Sequence, residues 1–246
     1  MPWSRQQFLQ HLAAARLLDH IREITWGYLR THPRASEREA QLFVLKQLQR
    51  HRLINELERP IVAFRQSTSE VHYYPPARGS RKLRRGSWIL LDLWGRCKEA
   101  SAPYADITWM AWHGGRVPSA QVKIFTVVRA ARDAALRYVQ LQVRQGRLPA
   151  GQEVHAVARR VIDGAGFRGK FPHSLGHSLG FTGPHGNSGS LSPKNVNPLV
   201  PGMGYTIEPG VYLPGFCGAR CEMDFFLSRQ RDVIITTELQ QELVRI

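Results

Sequence analysis

The chain of 246 residues carries 34 Lys and Arg against 19 Asp and Glu, a formal net charge of +15 at pH 7. Its hydrophobic fraction of 43% is typical of a globular protein and excludes an intrinsically disordered chain. No apolar run reaches the roughly 20 residues that a membrane helix needs, the N-terminus lacks the apolar segment of a signal peptide, and three cysteines are too few for a disulfide framework, so we expect a cytoplasmic protein with no membrane partner.

The first sixty residues predict two helices. Apolar residues recur at helical spacing over 4–30, and Ser4 followed by Gln7 has the spacing of a capping box. A second helix is predicted from Ser36, where Glu39 provides the same spacing.

Strands are predicted next. Residues 61–64 form a short strand, which is followed by a loop that contains His72. Residues 87–113 predict a β-hairpin, because two apolar runs flank a turn-rich loop. Each apolar run contains one acid, Asp92 in the first and Asp106 in the second.

Two further helices are predicted over 119–146 and 152–164, each ending at glycine. The stretch 171–187 then combines glycines with histidines, the side chains most often used for metal binding and for proton transfer near neutral pH. Residues 186–202 are predicted as a loop. The histidines of this stretch are His173, His177 and His185.

A second pair of acid-bearing strands completes the chain. Strands are predicted at 205–207, directly before Glu208, and at 221–227, which contains Glu222; a last one is predicted at 233–236. A hairpin followed by a helix in the first part, and a helix followed by two strands in the second, indicate an α+β domain with two similar halves.

Acids inside apolar strands point to a metal site. Buried charge is costly unless it is paired or bound to a metal, and converging carboxylates repel one another unless a cation lies between them. With His177 the acids form an oxygen-rich donor set that suits Mn²⁺, Fe²⁺, Co²⁺ or Zn²⁺ and carries charge enough for two ions. Each acid alone has a plainer explanation, such as an ion pair between Glu222 and Arg220. The four acids are Asp92, Asp106, Glu208 and Glu222.

The positive charge has no evident ligand in the sequence. Arginines are spread along the whole chain, and the one dense basic run lies at 78–85. A charge run is most often a solvated face. We therefore do not expect nucleic acid as a partner, despite the net charge of +15.

The order Asp–Asp–His–Glu–Glu resembles that of the pita-bread metallopeptidases, which include methionine aminopeptidase, aminopeptidase P and prolidase. The resemblance implies a pita-bread fold of class α+β, with two pseudo-symmetric halves around a curved, mainly antiparallel sheet. The His173/His177 pair and the Glu-Pro-Gly-Val-Tyr run look more like the Xaa-Pro aminopeptidase and prolidase branch, whose additional N-terminal domain we do not expect in this chain. The matching stretches are LLDLWG (90–95), YADIT (104–108), HSLGHSLG (173–180), GMGYTIEPGVY (202–212) and GARCE (218–222).

The resemblance also implies a role for each residue. Asp92 would bind one metal ion, Asp106 and Glu222 would bridge two, and His177 and Glu208 would bind the second. Glu208 would also carry a proton to the leaving amine. The remaining implied residues hold the substrate, and the histidines among them assist the reaction; they are His72, His173, His185 and Arg220.

We therefore expect a single catalytic domain over 1–246, with N-terminal helices in 1–58 and a metal-binding core in 60–246. Its expected reaction is hydrolysis of an N-terminal Xaa-Pro bond with two divalent ions, Mn²⁺ before Co²⁺, Zn²⁺ or Fe²⁺. The expected partner is a peptide, and the resemblance leaves room for a homodimer. A methionine aminopeptidase and a non-catalytic binding protein are the alternatives. Trp109 stands where the family commonly has arginine, which we expect to affect the substrate pocket.

Overall fold

Helices and mainly antiparallel strands alternate along the chain. The computed structural model describes residues 2–55 and 59–246; the expected boundary at residue 58 lies outside them. The α-helices of the described part are α1 (Arg5–Thr31), α2 (Glu37–Arg50), α3 (Ser119–Arg144) and α4 (Gly151–Ile162); a 3₁₀-helix spans Arg65–Ser69, and a π-helical turn, Asp163–Phe167, follows α4. Its strands are β1 (Ile61–Phe64), β2 (Ser87–Gly95), β3 (Ala105–His113), β4 (Gly176–Leu179), β5 (His185–Leu191), β6 (Met203–Ile207), β7 (Gly210–Leu213), β8 (Cys217–Arg220), β9 (Met223–Leu227), β10 (Val233–Ile235) and β11 (Val244–Arg245).

Hydrogen bonding divides the described strands into three sheets. A four-stranded sheet has the order β1-β2-β3-β11, a five-stranded sheet has the order β10-β9-β6-β4-β5, and β7 pairs with β8. All pairs are antiparallel except β11 with β3. The α+β class is confirmed. Both predicted capping boxes, at the starts of α1 and α2, are also present.

The β2–β3 hairpin separates two apolar cores. Successive side chains of a strand point to opposite faces, so Ile89, Leu91 and Leu93 pack against α1 and α2. Trp88, Leu90 and Trp94 belong to the second core, which α3, α4 and the five-stranded sheet complete. Asp92 alternates with this second set and therefore faces the second core.

Trp109 on β3 faces the helical core instead of the substrate pocket. Its ring lies under the guanidinium of Arg22, whose Cζ is 3.7 Å from the ring centroid. Arg22 is itself buried on α1 and pairs with Asp19 and Glu238. The expectation that Trp109 affects the pocket is therefore wrong, because its place in the strand alternation directs it to the other side of the sheet.

Two parts of the second half differ from their predictions. The predicted loop 186–202 begins with a strand, β5, which is the edge of its sheet and is only partly buried. The predicted strand 221–227 begins at Met223, and a separate β7–β8 hairpin precedes it. Gly218 in that hairpin approaches another backbone closely, since a Cβ there would lie 2.2 Å from the Thr68 carbonyl oxygen.

No helix in the described part of the chain combines the length and the apolar character that crossing a lipid bilayer requires.

His11 on α1 makes stability depend on pH. Its ring is fully buried, with Nδ1 2.9 Å from the Tyr104 carbonyl and Nε2 2.7 Å from the Thr236 hydroxyl. Burial lowers the pKa of His11 from 6.5 to about 4, so the unfolded chain binds a proton between these pH values that the folded chain excludes. Stability contributed by neutral His11 is present above pH 6.5 and is lost as the pH falls toward 4.

We predict that urea unfolding shows the wild type losing about 3 kcal/mol relative to His11→Gln as the pH falls from 6.5 to 4. Glutamine offers one donor and one acceptor without a titrating ring, which makes it the matched reference. If the free energy of unfolding changed equally with pH in the two proteins, His11 would not be the source of the pH dependence.

Candidate metal centre

Strand ends from both halves of the chain bring the predicted ligands into one cavity. Asp92 and Asp106 come from the β2–β3 hairpin, in which Asp92 pairs with Thr108 and Trp94 with Asp106, so both acids lie on the same face. His177 lies on β4, and the two glutamates lie just outside β6 and β9. The cavity, of about 70 Å³, is lined by all five predicted ligands and by His72, His185 and Arg220.

Three of the predicted ligands form a tight cluster. Asp106, His177 and Glu222 each direct a ligand atom into one group in which these atoms lie within 4.8 Å of one another. His177 Nε2 is 3.8 Å from Asp106 Oδ2 and 3.4 Å from Glu208 Oε1. His177 Nδ1 donates to the Ser178 carbonyl at 3.1 Å, which leaves the lone pair of Nε2 directed at the carboxylates.

The acids of this cluster are buried, and this burial controls their pKa values. Desolvation, and then the negative charges of neighbouring acids, raise the pKa values of Asp106 and Glu222 well above normal. Desolvation likewise raises the pKa of Glu208 to about 8. The pKa of His177 is lowered by burial to about 3, so its ring is neutral. A divalent cation would relieve all of these costs at once.

The donor atoms fit such a cation. Asp106 Oδ1 is buried and has no hydrogen-bond partner within the described structure. A neutral imidazole among carboxylates is a donor set that Mn²⁺, Fe²⁺, Co²⁺ and Zn²⁺ accept. The residues present are therefore suited to hold a divalent metal ion.

Asp92 is distinguished from the other acids by an arginine. Arg220 Nη2 donates to Asp92 Oδ2 in a buried ion pair. Arg220 Nε donates to the Thr108 hydroxyl at 3.0 Å, and that hydroxyl donates to Glu222 Oε2 at 2.7 Å. One guanidinium thus fixes acids from both halves of the chain.

The same guanidinium reaches His173 through a tyrosine. Arg220 Nη1 donates to the Tyr212 hydroxyl at 3.1 Å, and this hydroxyl lies 3.0 Å from His173 Nε2. His173 Nδ1 lies 2.8 Å from the Ser174 carbonyl and donates to it. Nε2 therefore accepts a hydrogen bond from the Tyr212 hydroxyl. Hydrogen bonds at both ring nitrogens fix the orientation of the imidazole. Burial lowers the pKa of His173 to about 3.

The other two predicted histidines lie at the mouth of the cavity. His72 is exposed and lines the cavity together with Asp92. The His185 ring centroid is 4.1 Å from that of His177. Larger cavities of about 350 and 620 Å³ adjoin the centre, and His185 lines both of them. Space for a substrate larger than a single amino acid is therefore available.

Sequence reasoning did not assign three polar side chains that hold the site. Thr108 and Tyr212 connect Arg220 to the acids and to His173. Asp224, fully buried on β9, accepts from the Asp106 backbone N–H at 2.9 Å. Thr108 and Tyr212 lie inside the YADIT and GMGYTIEPGVY stretches, but their contacts depend on tertiary approach.

Comparison with known proteins identifies relatives over nearly the whole chain. A family model described as Metallopeptidase family M24 matches residues 10–229. The chain is 30% identical over 227 residues to the Bacillus subtilis (strain 168) protein YkvY, a match that covers 91% of this chain and 57% of that protein.

Solved structures are also similar to this chain over nearly its whole length. A dipeptidase from Pyrococcus horikoshii OT3 has 28% identity and a TM-score of 0.85, over 100% of this chain and 64% of its own. A prolidase from Thermococcus sibiricus has 26% identity and a TM-score of 0.85, over 99% and 62%. The chain spans less than two thirds of the length of each of these relatives.

We predict that chelator-treated protein loses stability as the pH rises. The raised pKa of Glu208 means that the folded state holds a proton that the unfolded chain releases above about pH 4.5. The stability that protonated Glu208 contributes is complete below that pH and is lost as the pH rises through 8, by on the order of 5 kcal/mol over the whole range.

Thermal unfolding in EDTA at pH 6 and pH 9, for the wild type and Glu208→Gln, measures this effect. Glutamine is neutral at both pH values and should remove the Glu208 part of the stability loss, leaving the part that Asp106 and Glu222 contribute through their own raised pKa values. Added Mn²⁺ should raise the wild-type midpoint at pH 9. A metal-free wild type that is equally stable at both pH values would be inconsistent with this charge distribution.

Proposed function

Because the chain belongs to metallopeptidase family M24, we propose that it hydrolyses the N-terminal bond of peptides whose second residue is proline, at a centre of two divalent metal ions. Family membership and the likeness to solved relatives confirm the α+β pita-bread fold. The observation that carries the proposal is the buried convergence of carboxylates on neutral His177.

Two observations support an Xaa-Pro substrate. The solved structures similar to this chain include a prolidase at 26% identity and a dipeptidase at 28%. The His173/His177 pair and the Glu-Pro-Gly-Val-Tyr run are the stretches that resemble the proline-specific branch. We place the catalytic domain over residues 1–246.

The donor set suggests how two ions would be shared. Asp106 and Glu222 would bridge the ions, Asp92 would bind one of them, and His177 and Glu208 would bind the other. Mn²⁺ is the proposed metal because three or more carboxylates with one imidazole favour a hard ion. When bound, the ions would lower the pKa of a water molecule so that hydroxide is available near neutral pH.

Protein side chains supply the remaining chemistry in this proposal. Glu208, on the wall of the cavity, accepts a proton from the attacking water and gives it to the leaving amine. His72 and His185 at the mouth hold the peptide and donate to the carbonyl oxygen as it gains negative charge. His173 contributes from the fixed orientation that Tyr212 imposes.

Arg220 acts in this proposal mainly by positioning. All three of its guanidinium nitrogens donate to protein acceptors. The side chain is only 4% exposed, and removing it would leave the Asp92 carboxylate buried without its counter-charge. A direct contact with substrate is therefore secondary to holding Asp92 and Tyr212 in place.

Three substrates separate the proposed activity from its alternatives. The Mn²⁺-loaded protein should release product from an Xaa-Pro dipeptide or an Xaa-Pro-Xaa tripeptide, and substitution of Glu222 by Gln should lower the rate at least about a thousandfold. Preferred cleavage of Met-Ala-Ser would identify a methionine aminopeptidase. Failure to cleave any of these while binding no divalent metal would identify a non-catalytic protein.

Tyr212→Phe is expected to reduce kcat on an Xaa-Pro substrate about tenfold with little change in KM, because His173 loses the donor that fixes its ring. Tyr205→Phe is the matched control, since the Tyr205 hydroxyl accepts from the Val200 backbone away from the centre. Equal kcat values for the two variants would remove Tyr212 from the mechanism.

A further inference from the structure

The net charge of +15 has no role in peptide hydrolysis, and the fold gathers much of it in one place. The ends of β2 and β3 that lie away from the acids meet where Ser87 pairs with His113. The segments beside this end, 78–85 and 114–116, contain basic residues that are exposed. Basic residues that are spread along the sequence therefore lie close together in the folded chain.

Direct contacts connect the basic side chains on one side of this end of the hairpin. Arg85 packs on Gly114 and Gly115, where an added Cβ would lie 3.0 and 3.1 Å from the arginine side chain. Arg245 Nη1 donates to the Gly115 carbonyl at 3.0 Å, and Arg30 Nη2 donates to the Arg245 carbonyl at 3.3 Å. Three elements thus bring arginines to the same surface.

On the other side of this end of the hairpin, the basic segment 78–85 contacts the residues that precede α2. The Leu83 backbone N–H donates to the Ala35 carbonyl at 2.8 Å, which places Arg84 beside Arg34. Burial, and then the positive charges of Arg84 and Arg81, lower the pKa of Arg65, which places the three arginines near one another. The arginine surface, as defined by these contacts and their sequence neighbours, comprises Arg30, Arg34, Arg65, Arg81, Lys82, Arg84, Arg85, Arg116 and Arg245.

The described acids neutralise little of this arginine surface. Within the described residues, none of its members forms an ion pair with a carboxylate. Glu37 is fully buried and accepts from Phe64, Tyr73 and Arg81. Glu39 is exposed and caps α2, and its hydrogen bonds to Ser36 and then the charge of Lys82 lower its pKa, so one acid lies beside Lys82. The sequence contains no acid over 71–91 or over 107–132.

A row of stacked rings borders the arginine surface. The Tyr28 ring stacks on His32 with centroids 4.2 Å apart and on Phe43 at 4.1 Å. His32 is exposed and lies between Arg30 and Arg34 in the sequence. Tyr28 and Phe43 are only partly exposed. An exposed ring beside guanidinium groups suits single-stranded nucleic acid, whose phosphates bind to arginines and whose bases stack on rings.

We propose that the arginine surface binds single-stranded nucleic acid. Guanidinium groups pair with phosphate in a bidentate manner, and all but one of the nine basic residues are arginines. A second copy of the chain is disfavoured as the occupant, because it would bring the same positive charge. An acidic polypeptide would match the charge but would leave the stacked rings without a role.

This surface is separate from the candidate metal centre. Asp106 and His113 lie seven residues apart on β3, a separation of roughly 23 Å at strand spacing. Substitutions at the arginine surface are therefore expected to leave peptide hydrolysis unchanged. The proposal does not depend on the proposed peptidase activity.

Fluorescence anisotropy with a labelled oligouridine of about 20 nucleotides, over roughly 50 to 200 mM KCl, tests the proposal. The test variant is the triple substitution Arg84→Glu, Arg85→Glu and Arg116→Glu. The matched control changes the net charge equally on α3 and α4 and carries Arg137→Glu, Arg144→Glu and Arg160→Glu, at positions that are also exposed. Equal thermal midpoints verify that both variants are folded.

The test variant should bind at least about tenfold more weakly, with a salt slope smaller by about 2, because each lost phosphate contact removes about 0.7. The control should keep the wild-type slope. His32→Ala in the wild type should weaken binding about fivefold at constant slope.

Equal losses in the two triple variants would mean that net charge alone attracts the oligonucleotide and would overturn the proposal. It would also be overturned if polyglutamate of equal charge displaced the oligonucleotide as well as unlabelled RNA does, or if the wild type did not bind RNA.

Discussion

The structure depends on negative charge that the fold buries without balancing. Asp106, Glu208 and Glu222 face a neutral His177, and Arg220 is the cation that the described structure places among these groups, paired with Asp92. Removing carboxylates from water is costly, and the raised pKa values of these acids express that cost. Such an arrangement is tolerable when a multivalent cation completes it, so we expect metal binding to stabilise the folded centre.

Side chains of the β2–β3 hairpin alternate between two faces, and each face has a different role. One face gives the apolar side chains that α1 and α2 cover. The other face carries Asp92, Asp106 and Thr108 toward the second half of the chain, where Arg220 and Glu222 meet them. A register shift by one residue would turn the acids toward the helices and the apolar set toward the second core, so the hydrophobic packing itself enforces the geometry of the centre.

Sequence reasoning succeeded where a local pattern carried the information. Acids inside apolar runs predicted that Asp92 and Asp106 would be buried, and both are 5% exposed. β5 escaped prediction because HGNSGSL, an edge strand, lacks apolar alternation. The Arg220 network and the position of Trp109 depend on which elements pack together, and no periodicity within one element records that. The arginine surface was missed for the same reason.

Titration calorimetry of chelator-treated protein with Mn²⁺ at pH 7, in buffers of different ionisation enthalpy, tests the central claim most directly. If the acids hold protons because no cation balances them, metal binding must release those protons. We expect saturable binding to the wild type with net proton release, and strongly weakened binding to Asp106→Asn. Absence of binding, or binding without any proton release, would contradict the account.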